Sequence, residues 1–217
     1  MAEGASRGSE DKRRLIQRAA VRVFARHGFE AARVADIARE AGVAYGLVYH
    51  YFESKEEVLD DIVEEQLGVL IGVIDTIDGE ARAPHEKLAA IASFVLDSYR
   101  VVPDVVRVLL LETVRSSLVR ATPRARAFER VFARIEAVIS AHQRAGELRD
   151  DVDARIAGYV FLGALENLLT GLALGALPVT EDEFERAKRA VVEIAWSGLR
   201  RESAETATRS APSKRLS

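Results

Sequence analysis

The chain has 217 residues, of which 48% are hydrophobic and 30% are charged, and its formal net charge is −3 at pH 7. These values are typical of a soluble globular protein, and the length allows one large core or a core with a small appended domain. The sequence contains no cysteine, which excludes disulfides and thiolate metal sites. The charged N-terminal segment MAEGASRGSEDKRR is not followed by the apolar stretch of a secretory signal, so we expect a cytoplasmic protein.

Helical periodicity runs through most of the chain and strand patterns are almost absent, which predicts an all-α fold. We predict that residues 1–9 and 201–217 are disordered, since the C-terminal stretch has no apolar face. Glycine, proline and capping residues set the helix bounds. The predicted helices cover roughly residues 10–27, 34–41, 45–51, 55 onward, 84–102, 104–119, 123–146, 155–176 and 181–200.

The segment IAREAGVAYGLVYHYF (residues 37–52) has the spacing of a helix-turn-helix. Ala38 is small where two helices must approach closely, and Gly42 provides the tight turn. Val43 and Val48 can face the small core. This pattern predicts that the second helix enters a DNA major groove. The alternative is an ordinary helical hairpin.

Three of the five tyrosines in the chain lie in and around this second helix, at Tyr45, Tyr49 and Tyr51. One face of so short a helix must pack on the core, so these side chains and His50 are expected on or beside the opposite face. Phenol and imidazole groups can bond phosphates or base edges without a net charge. Lys55 lies near the N-terminus of the next helix, where free backbone N–H groups favour a phosphate.

The stretch from Arg13 to Leu59, RRLIQRAAVRVFARHGFEAARVADIAREAGVAYGLVYHYFESKEEVL, resembles the tetracycline-repressor (TetR) family of bacterial regulators. The resemblance implies a three-helix DNA-binding domain at residues 10–56. It also implies a larger helical domain at residues 57–200 that binds a ligand and dimerises.

By position, the resemblance implies that Tyr45, Gly46 and Leu47 reach base edges. The same resemblance implies that phosphates are held by Tyr49, Tyr51 and Lys55, with His50 in either role. This chain departs from the family at Arg33 and Ala44, where threonine and serine usually cap the two helices of the motif. Arg33 could supply a phosphate contact in place of the missing threonine.

The apolar helix at 155–176 is rich in glycine and alanine, which predicts burial on several sides. Together with helix 181–200 it can form a four-helix bundle across a two-fold axis, although burial within one protomer is the alternative. A membrane span is disfavoured because Glu166 lies at the centre of this helix. The predicted dimer-interface residues are Gly163, Asn167, Gly171, Val191 and Ile194.

Two further stretches, LLLETVRSSLVRATPRARA (109–127) and AHQRAGELRDDVDARIAGYVFLGALENLLTGLAL (141–174), are similar to acyl-CoA-responsive repressors of fatty-acid degradation. The similarity implies an apolar tunnel for an acyl chain and arginines for the CoA phosphates. The alternative is a regulator of the same class that senses drugs, or an antibiotic or other apolar metabolite. The candidate ligand-binding residues are Phe94, Arg107, Leu111, Arg115, Arg124, Phe132, Phe161 and Leu165.

The four histidines are scattered, and the sequence predicts no catalytic set, no metal site and no cofactor. Glu166 within its apolar helix predicts an internal ion pair or, alternatively, a ligand anchor. We therefore predict a homodimeric, non-enzymatic repressor that leaves a palindromic operator when a small apolar effector binds. A hypothesis of a different class is a helical ligand-binding protein or enzyme whose N-terminal hairpin is only structural.

Overall fold

The computed structural model describes residues 2–116, 122–177 and 180–201, and the side chains within these ranges except those of 2–7 and 112–116. The described residues form nine α-helices and no β-strand, which confirms the predicted all-α fold. The helices are α1 (Ala2–His27), α2 (Val34–Ala41), α3 (Tyr45–Tyr51), α4 (Lys55–Gly79), α5 (Pro84–Val101), α6 (Pro103–Ser116), α7 (Pro123–Arg144), α8 (Ala154–Ala173) and α9 (Glu181–Leu199).

The largest difference from the predicted bounds is at the N-terminus. Helix α1 begins at Ala2, eight residues before the predicted start at residue 10. Extending an existing helix adds one hydrogen bond per residue without a second nucleation step, which favours continuation toward the chain end. Most of the predicted C-terminal tail, residues 202–217, lies outside the described residues.

Local signals fix the helices of the N-terminal domain. Gly42 ends α2 with φ +66°, a left-handed conformation that glycine adopts without strain, and the chain then turns into α3. Ser54 precedes α4, and its Oγ accepts a hydrogen bond from the backbone N–H of Glu57 at 3.1 Å. The turn at Gly42 therefore sets the junction between α2 and α3, and the Ser54 cap sets the start of α4.

Helices α1, α2 and α3 form a small unit against the first turns of α4. Its core contains Ile16, Ala20, Phe24, Ile37, Val48 and Phe52. Arg13 donates two hydrogen bonds to the Asp61 carboxylate, from Nε at 2.9 Å and from Nη2 at 2.6 Å, and Gln17 donates a third at 2.9 Å. This network fastens α1 to α4, so the recognition helix sits on a rigid base.

The remaining helices form the larger domain, in which α4 packs on α7, α7 on α8, and α5 on both α8 and α9. Helix α4 belongs to both domains because its first turns complete the small core and its later turns contact α5 and α7. By length and composition alone, α8 could cross a bilayer, but here a third of its apolar window is buried among the neighbouring helices.

Candidate DNA-binding surface and effector cavity

Helix α3 separates a core face from an exposed face, as its sequence predicts. Val48 is buried, whereas Tyr45 and Tyr49 are about half exposed and His50 is exposed. The hydroxyl groups of Tyr45 and Tyr49 form a hydrogen bond at 3.3 Å, and this bond raises the pKa of the Tyr49 phenol. A phenol hydroxyl at this exposed surface can act as donor or acceptor toward a phosphate or a base edge.

The other predicted contact residues of α3 lie on or beside the same surface. Gly46 is exposed, and a Cβ added there meets no heavy atom within 4 Å, so the backbone is open to a close approach. Leu47 is half-buried. Tyr51 packs partly on the core with its ring centroid 5.1 Å from that of His50. The fold thus collects these side chains on one surface, and their individual contacts to DNA stay predictions.

Lys55 has a different environment from the one its sequence position indicates. Its Nζ donates to the backbone carbonyl oxygens of Phe29, Glu30 and Ala32, at 2.9, 3.1 and 3.3 Å, and lies 4.6 Å from the centroid of the Phe29 ring. An ammonium group has three donors, and all three are used. In this arrangement Lys55 ties α4 to the loop before α2, and a phosphate contact requires one of these bonds to break.

We predict that Lys55→Met lowers the thermal unfolding midpoint, because three backbone carbonyls lose a charged donor. A hydrogen bond to a charged group contributes about 1.5–3 kcal/mol to stability. Differential scanning fluorimetry measures this change, and Lys12→Met, at an exposed position on α1, is a matched control. If Lys55 instead holds only a phosphate, the midpoint stays unchanged and the salt slope of operator binding falls by about one.

The N-terminus of α2 has no side-chain cap, and only the reciprocal contact of a capping box is present. Arg33 occupies the N-cap position, and its backbone N–H donates to the Asp36 carboxylate at 3.3 Å. The Arg33 side chain is exposed beside the recognition motif. The structure therefore leaves the guanidinium in a position where the predicted phosphate contact is sterically open.

The larger domain contains a cavity of about 490 Å³ with walls from α4, α5, α6, α7 and α8. Most of its lining side chains are aliphatic or aromatic. Three of the predicted ligand-binding residues, Phe94, Phe132 and Leu165, line this cavity. The cavity is large enough, and apolar enough, to hold a small hydrophobic molecule.

Four other predicted ligand-binding residues do not line the cavity. Phe161 is buried in the core, while Leu111 is largely exposed on α6. Arg107 is paired with Asp104 at 3.6 Å, within one turn of α6. Arg124 Nε lies 2.8 Å from Asp60 Oδ1, and its Cζ lies 5.7 Å from the centroid of the Phe29 ring. The side chain of Arg115 lies outside the described residues.

Glu166 lines the cavity, and no described side chain forms a hydrogen bond or ion pair with it, so the ion pair favoured by the sequence stays a prediction. Burial raises the pKa of its carboxyl group. The second carboxylate at the cavity, Asp97, is bonded to Lys188 Nζ at 2.9 and 3.0 Å. The cavity therefore offers, within an apolar wall, one carboxyl group that has no partner among the described side chains.

An apolar surface covers adjacent faces of α8 and α9. Ile156, Val160 and Ile194 are each more than half exposed, and Tyr159 is 43% exposed. Such a face is unusual on a monomer and typical of a protein interface. Gly163 has open space around it and Asn167 is exposed, so both are accessible on α8.

Two predicted interface residues belong to the protomer's own core. Val191 is only 7% exposed because it points toward α5 and α8 rather than outward. A Cβ built on Gly171 would lie 2.7 Å from Leu177 Cδ1, since the chain folds back over α8 after the turn at Gly175. The prediction from the sequence did not include Ile156, Tyr159 and Val160 in the interface, although these three residues have the i, i+3, i+4 spacing of one helix face.

No group of three histidine, aspartate or glutamate residues is arranged to hold a metal ion among residues 2–116, 122–177 and 180–201. The structural features with functional geometry are thus the exposed α3 surface, the apolar cavity and the α8–α9 face.

Comparisons with known proteins agree with this architecture. Residues 16–62 match the family model described as bacterial regulatory proteins, tetR family. A fatty acid metabolism regulator protein from Bacillus subtilis (strain 168) is 27% identical over 152 residues, which cover 70% of this chain and 78% of that protein.

Two solved structures share the fold. The fatty acid degradation regulator FadR from Bacillus halodurans gives a TM-score of 0.75 at 24% identity, over 85% of this chain and 94% of its own. FadR from Bacillus subtilis, solved in complex with stearoyl-CoA, gives a TM-score of 0.74 at 24% identity, over 85% of this chain and 97% of its own. Residues 16–62 therefore form a helix-turn-helix domain of the tetR family of bacterial regulatory proteins, and the fold of the described residues is similar to that of regulators of this family.

Proposed function

We propose that the protein is a cytoplasmic, homodimeric repressor that binds a palindromic operator and is released from it by a long-chain acyl-CoA. The observation that supports this most strongly is the apolar cavity of about 490 Å³ in the domain that shares α4 with the helix-turn-helix. A ligand there contacts the later turns of the helix whose first turns support α3. Ligand binding can therefore change the separation of two recognition helices in a dimer.

Operator binding uses the exposed surface of α3. Tyr45, Gly46 and Leu47 contact base edges, where the open backbone at Gly46 permits a close approach. Tyr49 and Tyr51 donate their phenol protons to phosphates, and His50 supplies a further contact on either side. Arg33 adds a charged contact at the start of α2.

The homodimer forms through the apolar face of α8 and α9. Ile156, Tyr159, Val160 and Ile194 provide its buried centre, and Gly163 allows close approach of the two copies of α8. Two antiparallel helix pairs related by a two-fold axis make a four-helix bundle, a common arrangement for such faces. The same axis places two recognition helices about 34–36 Å apart, the spacing of successive major-groove turns.

The effector assignment rests on the cavity and on the relatives. The acyl chain fits an apolar cavity, and a thioester brings no charge into it. A free fatty acid would place its carboxylate near Glu166 and Asp97, and two like charges in a low-dielectric site repel. The regulator that was solved with stearoyl-CoA shares this fold.

A second candidate effector is an apolar cation, such as a lipophilic quaternary ammonium compound. The specific observation in its favour is Glu166, a carboxyl group in an apolar wall with no partner among the described side chains, which a bound cation would neutralise. In that case the protein senses drugs or apolar metabolites rather than acyl-CoA.

Fluorescence anisotropy with labelled DNA from the region upstream of the protein's own gene tests these proposals. We expect a salt-sensitive, sequence-selective complex that palmitoyl-CoA dissociates and that CoA alone and palmitate do not. Dissociation by tetraphenylphosphonium and not by palmitoyl-CoA would replace the acyl-CoA assignment by the cation sensor. Absence of a sequence-selective complex would contradict operator binding near the gene.

A further inference from the structure

A second cleft, of about 450 Å³, adjoins the effector cavity. The two share the wall residues Gln66, Val101, Val102 and Val105, so the apolar cavity and this cleft lie on either side of the same stretch of chain. The cleft is lined by α1 and α4 on one side and by the junction of α5 and α6 on the other. It therefore lies between the DNA-binding domain and the larger domain.

The chemistry of the cleft differs from that of the cavity. Helix α1 contributes Arg14, Arg18 and Arg22, which are spaced four residues apart and therefore lie in one row along the helix. The carboxylates at the cleft are Glu65 and Asp104, and Asp104 is already paired with Arg107 at 3.6 Å. Cationic side chains therefore outnumber the acidic groups that could neutralise them.

The arginines of α1 are otherwise mostly paired within the fold. Arg13 is bonded to Asp61, and Arg22 is bonded to Glu40 at 2.5 Å. Arg14 has an exposed pair with Glu10 at 3.2 Å. Arg18, in the middle of the row, has no hydrogen-bond or ion-pair partner among the described side chains and is exposed to the cleft.

We infer that this cleft binds the anionic, phosphate-bearing head group of the effector whose apolar part fills the cavity. The inference rests on the proposed function and adds a location and residues to it. An amphipathic ligand with an acyl chain and a charged head matches an apolar cavity that adjoins an arginine-lined cleft. Guanidinium groups bind phosphate oxygens through charge-assisted, often bidentate hydrogen bonds. Arg18 is the principal contact, with Arg14 and Arg22 on either side.

The position of the cleft gives the head group a role in release as well as in affinity. In this structure α1 packs against α6, and this contact links the DNA-binding domain to the larger domain. A head group between α1 and the α5–α6 junction occupies space beside that contact. An effector with this charged part therefore favours a different placement of α1, and thus of α3, from the one in the free protein.

The test uses the full-length variant Arg18→Gln, with the matched control Arg82→Gln at an exposed loop position, where the arginine pairs with Glu80. Isothermal titration calorimetry measures the dissociation constants of palmitoyl-CoA and palmitate for each protein. We expect Arg18→Gln to weaken palmitoyl-CoA binding about tenfold or more and to leave palmitate binding, where it is measurable, unchanged. Arg18→Lys should recover part of the loss, and Arg82→Gln should have no effect.

Three outcomes distinguish a failure of the head-group site from a failure of the acyl-CoA effector assignment. Equal affinity of wild type and Arg18→Gln for palmitoyl-CoA would overturn the head-group site while leaving the effector class intact. Absence of palmitoyl-CoA binding to the wild-type protein would overturn the effector class, and the site with it. Palmitoyl-CoA affinity that falls with rising salt in the wild type, and falls much less in Arg18→Gln, would support the site, because screening weakens exposed charge pairs.

Discussion

Replacing Ile194 by arginine is expected to convert the protein into monomers and to lower operator affinity by at least about a thousandfold. Ile194 is 73% exposed on α9, so the substitution leaves the protomer core intact. At the proposed interface, the two copies would bring unpaired guanidinium groups into an apolar centre, which is strongly unfavourable. A single half-site then lacks the avidity that two linked recognition helices provide.

Sedimentation velocity and operator anisotropy measure the two effects on the same sample. The control is Leu111→Arg, which places the same charge at a leucine on α6 that is 58% exposed. A dimer that persists in Ile194→Arg with normal operator affinity would place the interface on another surface. Gly171→Arg would not serve here, because an added side chain at that position collides with Leu177 of the same protomer.

Affinity for acyl-CoA is expected to rise steeply with acyl-chain length and then to level off. Each buried methylene contributes about 0.8 kcal/mol, so each two-carbon extension should tighten binding by roughly 15-fold while the cavity still has room. Calorimetry with the C8 to C20 acyl-CoAs measures this series. Affinity that ignores chain length would contradict the acyl-chain assignment.

A cavity variant makes the same prediction specific to this site. Leu165 lines the cavity, and Leu165→Ala should move the plateau to longer chains because it lengthens the space available. Leu172→Ala removes the same atoms from the same helix at a buried position outside the cavity, so it should leave the plateau where it is. A shift of equal size in both variants would indicate a general loosening of the domain.

The helix-turn-helix could be predicted from the sequence because its signals are local. The bounds 34–41 and 45–51 follow from Gly42 and from the spacing of small and apolar residues on either side of it. Ser54 and the acidic residues after it fix the start of α4 in the same way. These features depend on a few neighbouring residues and not on the packing of distant helices.

The sequence does not indicate contacts between side chains and partners that lie far away in the chain. Arg124 pairs with Asp60 and Lys55 pairs with the loop at 29–32, and nothing in the local sequence of either residue indicates that partner. Helix α9 has apolar residues on more than one face, so its periodicity alone cannot tell that Val191 faces the core and Ile194 faces outward. The orientation is set by how α9 packs on α5 and α8.

The contacts around Phe29 also limit how this protein can be re-engineered as a biosensor. Lys55 from α4 and Arg124 from α7 both approach the Phe29 ring, which belongs to the DNA-binding domain. A chimera that exchanges residues 1–56 for those of another regulator replaces Phe29, its loop and Lys55 together, but it keeps Arg124, which then meets whatever residue the donor has at the position of Phe29. Modular exchange of the two domains should therefore preserve effector response only when the donor carries an aromatic residue at the position of Phe29.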